Sequence, residues 1–122
     1  MKVLLSIKPE FVDKIFCGEK KYEFRRSIFK RQEVKKIVVY ASAPISKVIG
    51  EFEVDHILAG DIFDLWEQTK KFAGITEEYF FNYFSGLENG YAIKIKKYVR
   101  YLKPYCIEEQ FGLKPPQSFV YI

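Results

Sequence analysis

A short segment near the amino terminus carries the residue types most capable of chemistry. An amine, a carboxylate and a guanidinium, from Lys20, Glu23 and Arg25, follow Gly18 within one stretch of chain. The glycine permits a sharp turn into a strand, whose period of two puts Glu23 and Arg25 on one face. Such a trio can bind a nucleobase, or it can hold a lysine whose pKa is lowered by burial and the nearby arginine, so that it acts as base or nucleophile. The spacing alone favours the simpler interpretation of an exposed strand with alternating charges.

A second group combines basic and aromatic side chains near residue 100. Cations that follow a phosphate backbone, interleaved with rings on which bases stack, are what binding of single-stranded nucleic acid requires. An edge strand protected from aggregation by lysines has the same pattern, and the sequence leaves both alternatives open. The basic residues between 25 and 36 are likewise consistent with a segment that clamps a nucleic acid or with a mobile loop. The group near residue 100 comprises Lys94, Lys96, Lys97, Tyr98, Arg100, Tyr101, Lys103 and Tyr105.

Composition limits the class of protein. The 122 residues fit one compact domain, and 48% apolar residues suffice for an unaided core, which excludes disordered and fibrous classes. The net charge of +4 hides a segregation, because residues 1–50 carry +7, residues 51–93 carry −7 and residues 94–122 carry +4. If the two basic ends meet in the fold, they form one face that attracts polyanions. As a third possibility, the chain is a protein-interaction domain that binds a basic partner through the acidic helices of residues 51–93.

The sequence predicts no cofactor, no metal site and no membrane span. Cys17, Cys106 and His56 fall short of a zinc ligand set, and this cysteine usage is typical of the reducing cytoplasm. The acidic row of Glu51, Glu53 and Asp55 is more typical of a solvated strand face than of a cation site. His56 has the opposite parity to this row and is therefore expected in the core. No apolar run approaches the length of a membrane helix, and oligomeric state is left open, with a monomer consistent.

The elements that must position these residues follow from periodicity and from helix start and stop signals. Alternating apolar residues indicate strands, and Pro9, Asp61 and Thr76 are suitable first or capping residues of helices. Pro104 is expected to interrupt the fifth strand. The predicted elements are strands at 2–8, 21–25, 36–41, 47–58, 90–103 and 119–122, and helices at 9–17, 61–72 and 76–84.

This order predicts an α+β fold in one domain spanning residues 1–122. Five to six mostly antiparallel strands form a small, partly closed barrel, with two to three helices. The inward residues of the strands are expected to form the core of one barrel. In strand 21–25 the two aromatic side chains are expected to point inward and the three charged side chains outward. These core residues are Val3, Leu5, Ile7, Tyr22, Phe24, Val38, Phe52, Ile93 and Ile95.

Two motifs resemble the signature of the ASCH domain, a PUA-like β-barrel related to RNA-binding modules. They are Ser6-Ile7-Lys8-Pro9-Glu10-Phe11 and Gly18-x-Lys20-x-x-Glu23-x-Arg25. The resemblance extends through the later strands and the helical middle to Tyr91-Ala92-Ile93 and the proline-rich tail. It implies a cleft between barrel and helices that binds RNA or a nucleotide, lined by Gly18, Lys20, Glu23 and Arg25. Lys94, Lys96 and Arg100 are then the expected phosphate contacts.

The resemblance also implies an enzymatic alternative. One bacterial subgroup of the family hydrolyses the amide of acetylated cytidine, with a lysine at the position of Lys20, a threonine at the position of Glu23 and a later glutamate. Here Glu23 replaces the hydroxyl group, and Glu67, Glu77 and Glu78 give no unambiguous match to the third residue. If the chain is an amidohydrolase of modified nucleosides, Lys20 is its base or nucleophile and Glu23 its proton carrier.

Overall fold

The computed structural model describes all residues from 1 to 122. It contains six strands, four α-helices and one short 3-10 helix. In chain order these are β1 (Lys2–Ile7), α1 (Pro9–Phe16), β2 (Tyr22–Arg25), β3 (Lys36–Ala41), β4 (Lys47–Asp61), α2 (Ile62–Thr69), the 3-10 helix (Lys70–Phe72), α3 (Glu77–Tyr83), β5 (Asn89–Tyr105), α4 (Ile107–Phe111) and β6 (Phe119–Tyr121).

The six strands form one curled sheet, a half-barrel. Their order is β2-β5-β4-β3-β1-β6, so β2 and β6 are the edge strands. The pair of β1 and β3 is parallel, and every other neighbouring pair is antiparallel. This confirms the predicted α+β class with a small, partly closed barrel. Because the edge strands β2 and β6 are not paired with each other, the sheet leaves a seam between β2 on one side and β6 with the adjoining end of β1 on the other.

α1, α2 and α3 begin at the residues that helix-capping chemistry predicted. Pro9 occupies the first turn of α1, the carboxylate of Asp61 accepts hydrogen bonds from the amides of Phe63 and Asp64, and the Thr76 hydroxyl accepts one from Tyr79. These contacts satisfy donors that a helix leaves free at its start. None of the helices has the length and apolar character needed to span a membrane.

The predicted single core is divided into three clusters. Val3, Leu5 and Ile7 join Phe52, Ile93 and Ile95 inside the curl, as expected. Phe24 instead packs under α2 and α3, where Tyr22 is only partly buried. Val38 packs with Leu4 near Ile107 of α4, on the opposite face of the sheet. A curled sheet with helices on its outer face buries both sides of its strands, which strict alternation does not reveal.

The prediction that His56 belongs to the core is wrong. The His56 side chain is exposed, and its Nδ1 lies 3.6 Å from the Asp55 carboxylate. The pairing of β4 with β5 shifts register between Glu53 and Val54 and again between Val54 and His56. The first shift comes from an extra residue on β5, and the second from an extra residue on β4. An extra residue on β4 reverses which face its following side chains occupy, so parity counted from Phe52 fails beyond Val54.

The predicted interruption at Pro104 affects the pairing of β5 and not its length, and α4 was not predicted. β5 continues to Tyr105, which pairs with Val48, but the next paired residue is Arg100, opposite Gly50. Residues 101–104 thus form an irregularity without partners in β4, where a proline, which has no amide hydrogen, is tolerated. The available signal for α4 was Gly112, which ends the helix with a φ of 65°.

Candidate functional site

The largest described cavity lies at the open seam of the half-barrel. Its volume is about 590 Å³, within the range of small-molecule and nucleotide sites. β1 and β2 contribute residues to the wall of the cavity from the two sides of the seam, and α3 and the segment before β6 complete the wall. We call it the seam cavity, defined by its lining residues Ser6, Ile7, Lys8, Phe11, Lys20, Glu23, Phe24, Arg25, Tyr40, Ser42, Ala43, Ser46, Ile75, Tyr79, Tyr83, Pro115, Pro116 and Gln117.

Lys20 is buried in the wall of this cavity, with an exposure of only 2%. Its Nζ donates a hydrogen bond to the carbonyl oxygen of Ala73 at 2.8 Å and lies 5.3 Å and 4.7 Å from the ring centres of Phe11 and Phe24. Burial lowers the pKa of Lys20 to about 8, although the negative charge of Glu23 opposes the shift. A buried lysine with this pKa can donate or accept a proton near neutral pH.

Gly74 makes room for the Lys20 side chain. A Cβ atom at position 74 would lie 2.6 Å from the Cβ and 2.7 Å from the Cγ of Lys20. Gly74 also has a φ of 68°, which favours glycine. The segment from Ala73 to Gly74 therefore fixes Lys20 twice, through a hydrogen bond to its amine and through close packing against its stem.

Glu23 and Arg25 do not lie on an exposed strand face, contrary to the interpretation that the spacing favoured. Glu23 is 5% exposed, and its Oε2 accepts a hydrogen bond from Nη1 of Arg25 at 3.3 Å. The shared strand face that the period of two predicted is thus present, but it points inward. The pair is buried because β2 lines the seam instead of facing solvent.

The Arg25 guanidinium holds the two sides of the seam together. Nη1 donates to the Ser6 carbonyl of β1 at 3.3 Å, and Nη2 donates to the carbonyl and hydroxyl oxygens of Ser118 at 3.2 and 3.0 Å. Ser118 immediately precedes β6. Together with the bond to Glu23 these make four hydrogen bonds, which the five N–H donors of a guanidinium can supply and the three of an ammonium group cannot. Arg25 therefore positions Glu23 and closes the half-barrel at the same time.

Two tyrosines of α3 were missed as cavity residues from the sequence. The Tyr83 hydroxyl donates to the carbonyl of Phe24 at 3.1 Å, and burial raises its pKa. The Tyr79 hydroxyl accepts a hydrogen bond from Nζ of Lys8 at 3.1 Å, and its ring packs edge-on against Phe11. The available signal was their separation by four positions, which puts both rings on one face of a helix.

The sequence of the chain matches a known protein family. The model of the ASCH domain matches residues 5–108. The chain belongs to the ASCH domain family. The matched residues include both motifs that suggested the resemblance, and they include Lys20, Glu23 and Arg25 of the seam cavity.

Proteins similar to this chain come from Zymomonas mobilis and Ureaplasma parvum. A protein of Zymomonas mobilis described as an ASCH domain-containing ribonuclease is 29% identical over 125 residues, covering 99% of this chain and 84% of that protein. The crystal structure of ASCH from Zymomonas mobilis superposes with a TM-score of 0.90 at 30% identity, covering 99% of this chain and 87% of that one. Large ribosomal subunit protein uL22 of Ureaplasma parvum is 25% identical over 98% of this chain, which spans only 39% of that protein.

The other predicted site residues of this ASCH chain lie outside the seam cavity. Gly18 forms the turn before Lys20 with a φ of 85°. Lys94 is paired opposite Tyr22 and lies over its ring, 5.2 Å from the centre. Lys96 is exposed, and Arg100 forms an ion pair with Asp13 at 3.1 Å. The cations of β5 thus form a separate, solvent-facing group beside β2.

The remaining acidic candidates do not contribute to the cavity. Glu67 pairs with Lys70, and neither Glu77 nor Glu78 is among the lining residues. Glu51 is bound by Lys36 at 2.8 Å and by the Tyr101 hydroxyl at 2.7 Å. Burial opposes the shift, but these two hydrogen bonds hold the pKa of Glu51 below its usual value. No three His, Cys, Asp or Glu side chains are grouped closely enough to hold a metal ion.

Proposed function

We propose that the seam cavity binds one nucleotide of a single-stranded RNA. The observation that carries this proposal is the placement of two buried charged groups, Lys20 and Glu23, in a cavity walled by aromatic rings. Rings of Phe11, Tyr79 and Tyr83 provide surfaces for a base. The carboxylate accepts and the amine donates hydrogen bonds, as recognition of base edges requires. The Zymomonas relative described as a ribonuclease supports RNA as the ligand class.

The exposed cations of β5 fit the role of phosphate contacts outside the cavity. Tyr22, at the start of β2, is paired with Lys94, so this group adjoins the strand that carries Glu23 and that Lys20 precedes by two residues. Phosphate contacts position a nucleic acid, and contacts to bases specify it. We therefore assign positioning to Lys94, Lys96 and Arg100, and recognition to Lys20 and Glu23, with Arg25 maintaining the geometry of Glu23.

Cleavage of RNA at this cavity is the second candidate function, favoured by the same ribonuclease relative. In such a reaction the ribose 2′ oxygen attacks phosphorus, the bond to the 5′ oxygen breaks, and a cyclic phosphate forms. Glu23 would accept the proton of the 2′ hydroxyl, and Lys20 would donate one to the departing 5′ oxygen. The lowered pKa of Lys20, about 8, makes its ammonium group a stronger acid than an exposed lysine.

A salt titration of binding to a labelled RNA hexanucleotide tests this division of roles. The wild type should bind less tightly as salt rises. Because one neutralised phosphate contributes about 0.7 to the slope of log affinity against log salt, Lys96→Ala should flatten the slope by roughly that amount. Glu23→Gln should change the preference among bases and leave the slope unchanged, since a carboxylate neutralises no phosphate. Equal slopes for all three proteins, or a wild type insensitive to salt, would show that the β5 lysines are only a solvated strand.

Mass spectrometry of the RNA after incubation separates binding from catalysis. Intact RNA supports a binding module, whereas cyclic phosphate products that disappear with Lys20→Met support a ribonuclease. A parallel panel of acetylated nucleosides tests the amidohydrolase alternative, in which free nucleoside would accumulate. Lys71→Ala is a matched control, because Lys71 is exposed and lines neither the cavity nor β5.

A further inference from the structure

A second cavity lies beneath the segment that connects β2 to β3. Its volume is about 460 Å³. One wall is formed by residues 28–32, 34 and 35 of this connection, and the other by the bulged part of β4 together with Tyr91 of β5. We call it the loop cavity. β-bulges are over-represented beside functional sites, where they redirect side chains, and here the bulges turn His56 toward this cavity.

The loop cavity has an excess of positive charge. Lys30, Arg31 and Lys35 line it, and Asp55 is the one carboxylate among its lining residues. Asp55 is adjacent to His56 at 3.6 Å, and none of the three cations takes part in an ion pair. Unpaired cations around a concave surface attract an anion, and a phosphate group fits their chemistry.

The connection that presents these cations is fixed by the fold. The backbone amides of Lys30 and Arg31 donate to the Tyr121 hydroxyl at 3.0 and 3.2 Å. Phe29 and Val34 are buried in the cluster inside the curl. The carbonyl of Lys35 accepts a hydrogen bond from the amide of Val54 at 2.9 Å. A ligand binding here would therefore not have to order a disordered loop, which saves binding free energy.

One wall residue of each cavity is paired with the other across two strands. Arg25, which lines the seam cavity, lies directly opposite Tyr91, which lines the loop cavity, in the pairing of β2 with β5. Opposite residues of antiparallel strands have Cα atoms only about 5 Å apart. The walls of the two cavities are therefore neighbours at this point, and an RNA longer than one nucleotide that leaves the seam cavity at Arg25 extends toward the loop cavity.

We propose that the loop cavity is a second RNA subsite, which holds the phosphate of the nucleotide adjoining the one in the seam cavity. Lys30 and Lys35 bind this phosphate, and the Tyr91 ring is available to stack its base. The inference rests on the proposed function of the seam cavity. It adds that recognition extends past the end of β2, on the side opposite to Lys94 and Lys96.

Comparison of a nucleoside monophosphate with a hexanucleotide of the same base tests this subsite. The mononucleotide occupies only the seam cavity, whereas the hexanucleotide reaches both. The double variant Lys30→Ala/Lys35→Ala should bind the hexanucleotide at least 10-fold more weakly and, because one phosphate is no longer neutralised, lower the salt slope by about 0.7. Its affinity for the mononucleotide should equal that of the wild type. The control Lys71→Ala/Lys114→Ala removes the same charge from exposed positions outside both cavities and should leave both affinities unchanged.

Amide chemical shifts of the wild type provide a readout that needs no variant. The hexanucleotide should shift the amides of residues 28–35 and 54–57, and the mononucleotide should not. Unchanged hexanucleotide affinity and slope in the double variant would overturn the second subsite and leave the proposed function standing. If the wild type binds neither probe, the proposed function fails and the second subsite fails with it.

Discussion

Two neighbouring strands carry similar alternations of charged residues but use them differently. In β2, Glu23 is buried and Arg25 has a side chain only 11% exposed. In β5, Lys96 and Arg100 face solvent, although β5 is paired with β2 along the same sheet. The difference arises because β2 borders the seam, where α3 and the segment before β6 cover it. β5 extends past the end of β2, and although α1 contacts that extension, it leaves the side chains of Lys96 and Arg100 exposed.

Burial, not the pattern of charge, makes one of these groups chemically distinct. In the seam cavity the low dielectric lowers the pKa of Lys20 and strengthens the hydrogen bonds of Arg25. On β5, water screens the same types of group, and a single surface ion pair such as Arg100 with Asp13 contributes little. Reactivity and recognition are therefore expected at β2, and long-range attraction of a polyanion at β5.

The largest effect that would distinguish the two strands is loss of the seam contacts. Arg25→Met removes the hydrogen bonds to Ser6 and Ser118 and leaves the Glu23 carboxylate buried without its partner. The free energy of unfolding should fall by about 3–5 kcal/mol, as for other broken buried pairs. Arg100→Met is the matched control and should change it by about 1 kcal/mol or less. Urea unfolding of both variants measures the difference, and equal losses would contradict the assignment of Arg25 as the residue that closes the seam.

The pH dependence of stability gives the next largest effect. The folded state binds the Lys20 proton less tightly than the unfolded chain, so the charged lysine reduces stability below pH 8. That reduction disappears as pH rises from about 8 to the ordinary lysine pKa of 10.5. The free energy of unfolding should therefore gain up to about 3 kcal/mol from this group across that window.

Lys20→Met should remove this rise, because methionine does not titrate. Lys96→Met, which leaves the surroundings of Lys20 intact, should retain it. Urea unfolding at pH 7, 8, 9 and 10 gives the three curves. A Lys20→Met curve parallel to that of the wild type would show that Lys20 is not buried as a charged group.

The smallest effect concerns the space that Gly74 leaves for Lys20. Gly74→Ala introduces both backbone strain and a close contact with Lys20, whereas Gly86→Ala, at a φ of 84°, has no atom within 4 Å of the added Cβ and introduces strain alone. Gly74→Ala should therefore be more destabilising than Gly86→Ala by about 1–2 kcal/mol. It should also weaken RNA binding, because Lys20 must move. Unfolding midpoints and hexanucleotide affinities measure both effects, and identical behaviour of the two alanine variants would contradict tight packing at Lys20.

Local sequence signals predicted where most helices and strands lie, but not which face of each strand is buried. Pro9, Asp61 and Thr76 marked helix starts, because capping depends on residues within a few positions of one another. His56 was misplaced because a bulge is a property of two paired strands. Glu23 was misplaced because alternation reports which residues share a face and not whether that face is covered. α4 was missed because it is short and has no side-chain cap at its start.

The sequence by itself determined that Glu23 and Arg25 share a face, that Gly18 turns the chain before Lys20, and that the chain resembles the ASCH domain. Periodicity and glycine geometry are local, so they survive in any fold that contains this strand. Only the tertiary structure decided that this face is buried at a seam, that Arg25 spans it to Ser6 and Ser118, and that Ala73 and Gly74 enclose Lys20. Those contacts join residues up to 93 positions apart, and no local pattern encodes which distant segments will cover a strand.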